Sequence, residues 1–541
     1  MDHKRGSFSG KIGFVLSAAG ASVGLGNIWR FPYLAAKYGG AIFLLVYIIL
    51  AMTFGYTMII AETSIGRMTG KSPVGAYKSF SDKPALRVGG WINAIIPILI
   101  VPYYSVIGGW VIKYLAEYLM GKAHLVAEDG YFSSFISNGV SSELCFLVFT
   151  AMTLAIIFAG VENGIERVSK IMMPILVVLS LIIAVYSVTR PGALEGVKYF
   201  LVPNLDNFSW MTVVSAMGQM FYSLSIAMGI LITFGSYMKK DVPIESSTRN
   251  GEVFDTAIAI MAGLMIIPAV FAFSGGDPGA LEGVKYFLVP NLAHFSWMTV
   301  VTAMGQMFYS LSIAMGILIT FGSYMKKDIS IEGSTRNVEV FDTAIAIMAG
   351  LMIIPAVFAF SGGDPDALKA GPSLMFVTIP KVFDSMGLGT LIGIAFFLLV
   401  LFAALTSSIA LTESAVSTLQ DELHWSRRKS MSIMGVSMVL LGSLSSLGYG
   451  PLANVTVIGM QFLDFFDFLT NSVMMPIAAI ASCILVSRVI GVDRIADEVT
   501  LNGAPFRRRK VFNAMIRFLC PFFAAIILIS SIASAFGWIS M

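Results

Sequence analysis

Charge is scarce in this chain. Only 12% of its 541 residues are Asp, Glu, Lys or Arg, while 57% are hydrophobic. A soluble globular protein carries about 25% charged residues. So little polar material could not cover a water-facing surface, which excludes a cytosolic enzyme, an extended nucleic-acid binder and a disordered chain. The formal net charge of +3 calls for no polyanionic partner. Cysteine is nearly absent: Cys145, Cys483 and Cys520 stand alone in or beside apolar stretches, with neither redox nor metal spacing. The histidines His3, His124, His294 and His424 are scattered, so no zinc or iron site is readable. There is no nucleophile–base constellation and no phosphate loop, which argues against an enzyme. The opening residues, Met1 to Arg5, lead into an interrupted apolar helix rather than a small-residue cleavage site, and read as no removable signal peptide.

Long apolar runs are abundant. Spans are expected near 11–36, 41–65, 91–118, 146–161, 169–188, 211–237, 252–274, 298–324, 339–361, 387–414, 430–449, 455–487 and 511–537, about thirteen in all. None shows the two-residue alternation of barrel strands, so the fold class is all-α, a polytopic membrane protein. Lys4, Arg5 and Lys11 precede the first span. Arg67, Lys71, Lys78, Lys83 and Arg87 follow the second, and Lys239, Lys240 and Arg249 the sixth. Arg427, Arg428 and Lys429 follow the tenth, and Arg494 with Arg507 to Lys510 the twelfth. Alternating helices put all of them on one side, so the N-terminus is expected in the cytoplasm of a multi-pass cell-membrane protein, within the lipid bilayer, and the C-terminus outside.

Part of the length is a copy. Residues 191–277 and 278–364 are the same 87-residue segment written twice, with seven differences. These are Asp206/Ala293, Asn207/His294, Ser215/Thr302, Val242/Ile329, Pro243/Ser330, Ser246/Gly333 and Gly251/Val338. Such identity is neither the divergent symmetry of transporter halves nor a solenoid, and reads as a recent tandem duplication within one transmembrane domain, 1–541. Each copy carries two spans, so the helices downstream keep their orientation.

Three polar interruptions carry chemistry. The first span holds Gly20, Gly24 and Gly26 with Asn27 and Arg30. Glycines suit close helix packing, but an arginine within a span is costly and points to function, which favours a broken helix. The second is Gln219 to Gly229 and its copy Gln306 to Gly316, where serine back-bonding to the helix is the plainer reading. The third is Leu405-Thr406-Ser407-Ser408, hydroxyls in mid-span. Hydroxyl and carbonyl oxygens at such places suit a dehydrated hard cation such as sodium. Asp467 lies near the outer end of its span, at a depth to meet Arg30.

On these motifs, above all Gly24-Leu25-Gly26-Asn27-Ile28-Trp29-Arg30-Phe31-Pro32, the chain resembles the neurotransmitter:sodium symporter family, bacterial eleven-span type, from Arg5 to about residue 537. Thirteen spans less two duplicated ones agree with that number. The resemblance implies an inverted-repeat (5+5) symporter fold with discontinuous first and sixth helices. It implies two sodium ions. One would be held by Ser22, Asn27, Ser223 or Ser310, and Asp255 or Asp342, with the substrate carboxylate. The other would be held by Gly20, Val23, Ala403, Thr406 and Ser407. The substrate-binding set would be Gly24, Gly26, Ile100, Tyr104, Tyr222 or Tyr309, Ser225 or Ser312, and Leu411, with Tyr104 on the carboxylate. Arg30 with Asp467 would form the outer gate and Arg5 with Asp421 the inner one. Gly24 stands where monoamine carriers have aspartate, which implies an amino-acid substrate, and Ile100, Met220, Ile226 and Leu411 suggest an apolar side chain. A resident Asp255 or Asp342 carboxylate implies chloride independence. Tyr222, Ala227 and Phe8 depart from the family pattern without removing a ligand.

The expected function is therefore sodium-coupled secondary active transport of an amino acid by alternating access. The alternative is an inactive or sensor-like member that binds amino acid without transport because of the duplicated helices. A channel is the remaining class, and paired gates argue against it. Either copy, or one helix from each, could form the broken sixth helix. The intact outer loop 370–385 after copy two, and Gly251 where copy two has Val338, favour the second copy. Oligomeric state is not legible.

Overall fold

Apolar side chains in runs too long for a soluble core leave the backbone one way to satisfy its polar groups in lipid, which is helix. The computed structural model describes residues 51–188, 330–332, 335, 373–384, 388–501 and 505–535, and among them every regular element is helical. The spans expected at 11–36, 211–237, 252–274, 298–324 and 339–361 lie outside the described residues. Six described helices are long and apolar enough to cross a membrane.

The helices used below are α1 (Tyr56–Thr69), α2 (Pro73–Phe80), α3 (Pro84–Leu119), α4 (Gly139–Phe158), α5 (Arg167–Val188), α6 (Gly389–Leu423), α7 (Arg427–Leu447), α8 (Phe462–Ile490), α9 (Val492–Val499) and α10 (residues 509–535). Their ends follow local chemistry. Gly70, with φ +63°, closes α1 in the left-handed conformation that costs glycine least, and its N–H donates to the Gly66 carbonyl. Proline at the first position starts both α2 and α3. Asn138 starts α4, its side chain accepting from the Ser141 N–H. That cap moves the start of α4 back from the expected 146 to 139. Turns through 448–461 delay α8 to 462 instead of 455, and α6 runs on to Leu423 rather than ending at 414.

α3 and α6 form the heart of the bundle. They pack along one another, and α6 also touches α4, α5 and α7. Close approach depends on glycine at α3. A Cβ on Gly109 would meet the Phe146 backbone nitrogen at 2.6 Å, so α4 lies against bare α3 backbone. At the end of the bundle away from the basic loops, an aromatic seam joins the connections to α3. Trp110 meets Phe132, Phe376 and Tyr449 edge-on, Phe132 stacks on Phe376 with centroids 5.1 Å apart, and the Tyr114 hydroxyl donates to the Phe376 carbonyl at 2.6 Å.

The basic loops gather at the other end. Arg67 of α1 pairs with Glu498 of α9 at 2.7 Å, both nearly out of solvent, and Lys78 pairs with Glu422. Arg509 reaches Asp493 at 2.6 Å. Short helical residues from the second repeat copy belong here too. Ile331 and Thr335 are buried, and the Glu332 carboxylate accepts the backbone N–H groups of Arg507 at 2.8 Å and of Arg508 at 3.4 Å, ahead of α10. A carboxylate at that end of α10 satisfies donors that have no partner inside the helix.

Candidate functional site

The site residues that fall in the described part stand on α3, α6 and α8. On α3, Ile100 and Tyr104 are one turn apart and buried, 1% and 4% exposed. On α6, Ala403, Ser407 and Leu411 recur every four residues, with Thr406 beside Ser407, so they share one stripe. All four are buried. Hydroxyls inside an apolar helix need partners. Thr406 finds them on its own helix, its Oγ1 donating to the Phe402 carbonyl at 2.9 Å and the Ala403 carbonyl at 3.1 Å. This brings two of the expected cation ligands, the Ala403 carbonyl and the Thr406 hydroxyl, within hydrogen-bond distance of each other. Back-bonding uses the hydroxyl proton and leaves oxygen lone pairs for a hard cation. Ser408, the next residue, points elsewhere: its Oγ lies 3.2 Å from Thr153 Oγ1 on α4. The hydroxyl run thus divides between bonds within α6 and a contact to α4.

Asp467 sits at the junction where α8 changes to a wider π-helical turn, Phe468–Met474. Such turns expose backbone groups and recur at functional sites. Its Oδ1 accepts from the Tyr103 hydroxyl at 3.3 Å and from Asn471 Nδ2, and Asn471 also reaches the Tyr103 oxygen at 3.4 Å. Tyr103 and Asn471 were not among the expected site residues. The signal was present in the sequence: an acid and an amide four residues apart inside one span, and a tyrosine next to Tyr104 on α3.

Asp421 lies near the basic end of α6. Its Oδ2 accepts the Ser72 N–H at 2.8 Å, ahead of the N-terminus of α2. A carboxylate there complements the helix dipole and ties α6 to the first basic loop.

The remaining expected site residues lie outside the described residues. These are Arg5, Gly20, Ser22, Val23, Gly24, Gly26, Asn27 and Arg30, with Tyr222, Ser223, Ser225 and Asp255 of copy one and Tyr309, Ser310, Ser312 and Asp342 of copy two.

Comparison with known proteins places this architecture. The model of the sodium:neurotransmitter symporter family matches residues 5–125, 133–276 and 269–537, the second match ending and the third beginning at the joint of the two repeat copies. The chain is 29% identical over 536 residues to the uncharacterized sodium-dependent transporter YhdH of Bacillus subtilis, covering 98% of each chain. It is 26% identical over 527 residues to the sodium- and chloride-dependent glycine transporter 2 of Xenopus laevis, covering 92% of this chain and 60% of that one. Among solved structures, the crystal structure of MhsT in complex with L-phenylalanine is similar with a TM-score of 0.71 and 32% identity, covering 97% of this chain and all of that one.

Proposed function

The chain belongs to the sodium:neurotransmitter symporter family, a family of membrane symporters rather than enzymes, and from that premise we propose that it carries an amino acid with an apolar side chain inward, driven by two sodium ions. That it is a multi-pass, sodium-dependent transporter follows from the family; the substrate, the ion number and the direction are our reading. The observation that carries it is the buried stripe on α6. The Ala403 carbonyl and Thr406 hydroxyl offer neutral hard oxygens to a cation, on a helix that packs along α3, which carries buried Ile100 and Tyr104. Gly24 leaves room for a substrate carboxylate near a helix break, where backbone N–H groups favour an anion. The L-phenylalanine bound to the similar MhsT supports an apolar amino acid. The basic end faces the cytoplasm, with the N-terminus. Arg30 with Asp467 closes the outer side and Arg5 with Asp421 the inner side. Transport is chloride-independent, because Asp255 or Asp342 supplies the negative charge.

The second repeat copy forms the site. Glu332 supports this: its carboxylate accepts the Arg507 N–H ahead of α10, so this residue of copy two packs within the described bundle. Copy two therefore supplies Ser310, Tyr309, Ser312 and Asp342.

Reconstitution into liposomes tests the reading. An imposed sodium gradient is expected to accumulate L-phenylalanine or another apolar amino acid, equally in chloride and in gluconate, while a potassium gradient drives none. Ser310→Ala abolishes the sodium-driven part and Ser223→Ala leaves it. Full activity in both variants would refute the site assignment. Amino-acid binding without counterflow would establish the sensor-like alternative.

A further inference from the structure

Two neighbouring arginines at the basic end have opposite fates. Arg427, at the start of α7, donates to both oxygens of buried Glu413 on α6, at 2.8 and 2.6 Å, and to the Ile157 carbonyl of α4 at 3.3 Å. It is consumed in joining three helices. Arg428 is exposed and, among the described residues, makes no ion pair. Beside it the Lys429 ammonium sits 4.3 Å from the Trp425 ring centroid, an aromatic of the kind that settles at a membrane interface.

Arg428 heads a helix face. One turn on comes Ser432, then Gly435 and Val436, then Val439 and Leu440, following the spacing of one stripe. These residues, with Met431 and with Leu154 and Phe158 of α4, line a groove of about 390 Å³. Its walls are apolar and open outward: Phe158, Val436 and Leu440 are more than half exposed. Glycine at 435 keeps the groove open: a Cβ there would meet Leu154 across it at 3.1 Å. Arg428 stands one turn before Met431 and Ser432, the α7 groove residues nearest the basic end, so an aliphatic groove with basic and aromatic residues beyond that end suits a phospholipid: acyl chain in the groove, phosphate on Arg428 and Lys429.

We propose that the α4–α7 groove is a binding site for an anionic phospholipid, selected by its headgroup at Arg428. The test uses the full chain, purified and delipidated in detergent and titrated with dioleoyl phosphatidylglycerol or dioleoyl phosphatidylcholine under native mass spectrometry. The wild type is expected to retain phosphatidylglycerol in preference to phosphatidylcholine. Arg428→Glu should weaken phosphatidylglycerol retention about tenfold while leaving phosphatidylcholine unchanged. Gly435→Leu, which fills the groove, should weaken both. Equal retention of the two lipids by the wild type, or unchanged retention in Arg428→Glu, would overturn the proposal. So would a wild-type dimer that Gly435→Leu converts to monomer, which would make a second copy the occupant of this face.

Discussion

α3 and α4 are equally apolar in sequence, yet the best 18-residue window of α3 is 78% buried and that of α4 only 33%. α6 and α7 also differ in burial, at 83% and 44%, and there the more exposed helix is the less apolar one. Hydropathy marks a span as fit for lipid; it does not say whether lipid or protein surrounds it, because both environments are dry. Both pairs bury hydroxyls, among them Thr150 and Thr153 on α4 and Ser445 and Ser446 on α7; the pairs differ in what else they carry. The inner pair carries Tyr103, Tyr104, Thr406 and Ser407, which are costly against hydrocarbon and inexpensive against polar neighbours. The outer pair presents Val140, Leu144, Val436 and Leu440 to the outside. The inner helices are those on which we propose the transport site, and the outer ones form the surface we propose for lipid.

The contrast breaks most visibly at a contact between the classes. Gly109→Leu drives a side chain into the α4 backbone and is expected to cost about 3 kcal/mol, enough to erode the monodisperse peak on detergent size exclusion. Leu440→Ala on the outer face should stay within about 0.5 kcal/mol of wild type. Similar behaviour of the two would mean that burial in this bundle does not track stability.

Next in size is a change inside the core that leaves packing intact. Tyr104→Phe removes the hydroxyl assigned to the substrate carboxylate and is expected to raise the KM of sodium-driven uptake about tenfold or more, the weight of a hydrogen bond to a charged group. An unchanged KM would remove Tyr104 from the site.

The smallest effect belongs to the loops. His124, on the short helix Ala123–Ala127, lies 2.9 Å from Asp384, and that carboxylate raises the imidazole above its ordinary pKa. A raised folded value means that the clasp contributes fully below the unfolded pKa and fades as pH climbs through the folded one. The melting temperature of wild type minus that of His124→Gln should therefore be slightly positive near about pH 5.5 and vanish near about pH 8.5. A difference growing with pH would reverse the assignment.

Much of this was legible beforehand, and the failures have physical reasons. The cores of α3, α6, α7 and α10 stand where hydropathy puts them. The start of α4 was missed because its first turn, Gly-Val-Ser-Ser-Glu, is polar, while the Asn138 cap that starts it does not register in a hydropathy window. Thr406 and Asp467 stood out as polar groups in apolar runs. Arg67 was legible as a loop charge only: its partner Glu498 lies 431 residues away, and such pairings are set by tertiary packing. Asp421 was legible as a charge near the end of α6, but its bond from the Ser72 N–H was not. A helix-end contact of that kind leaves no periodic trace.

The most direct test of the account is a sodium titration of the amino-acid-dependent thermal shift in the wild type and in Thr406→Val, which keeps the shape of the side chain and removes the oxygen. The account predicts that amino acid raises the wild-type melting temperature only in sodium, and that Thr406→Val needs at least about tenfold more sodium for the same shift. An identical sodium dependence in the two proteins would contradict the assignment of a sodium site to the inner face of α6.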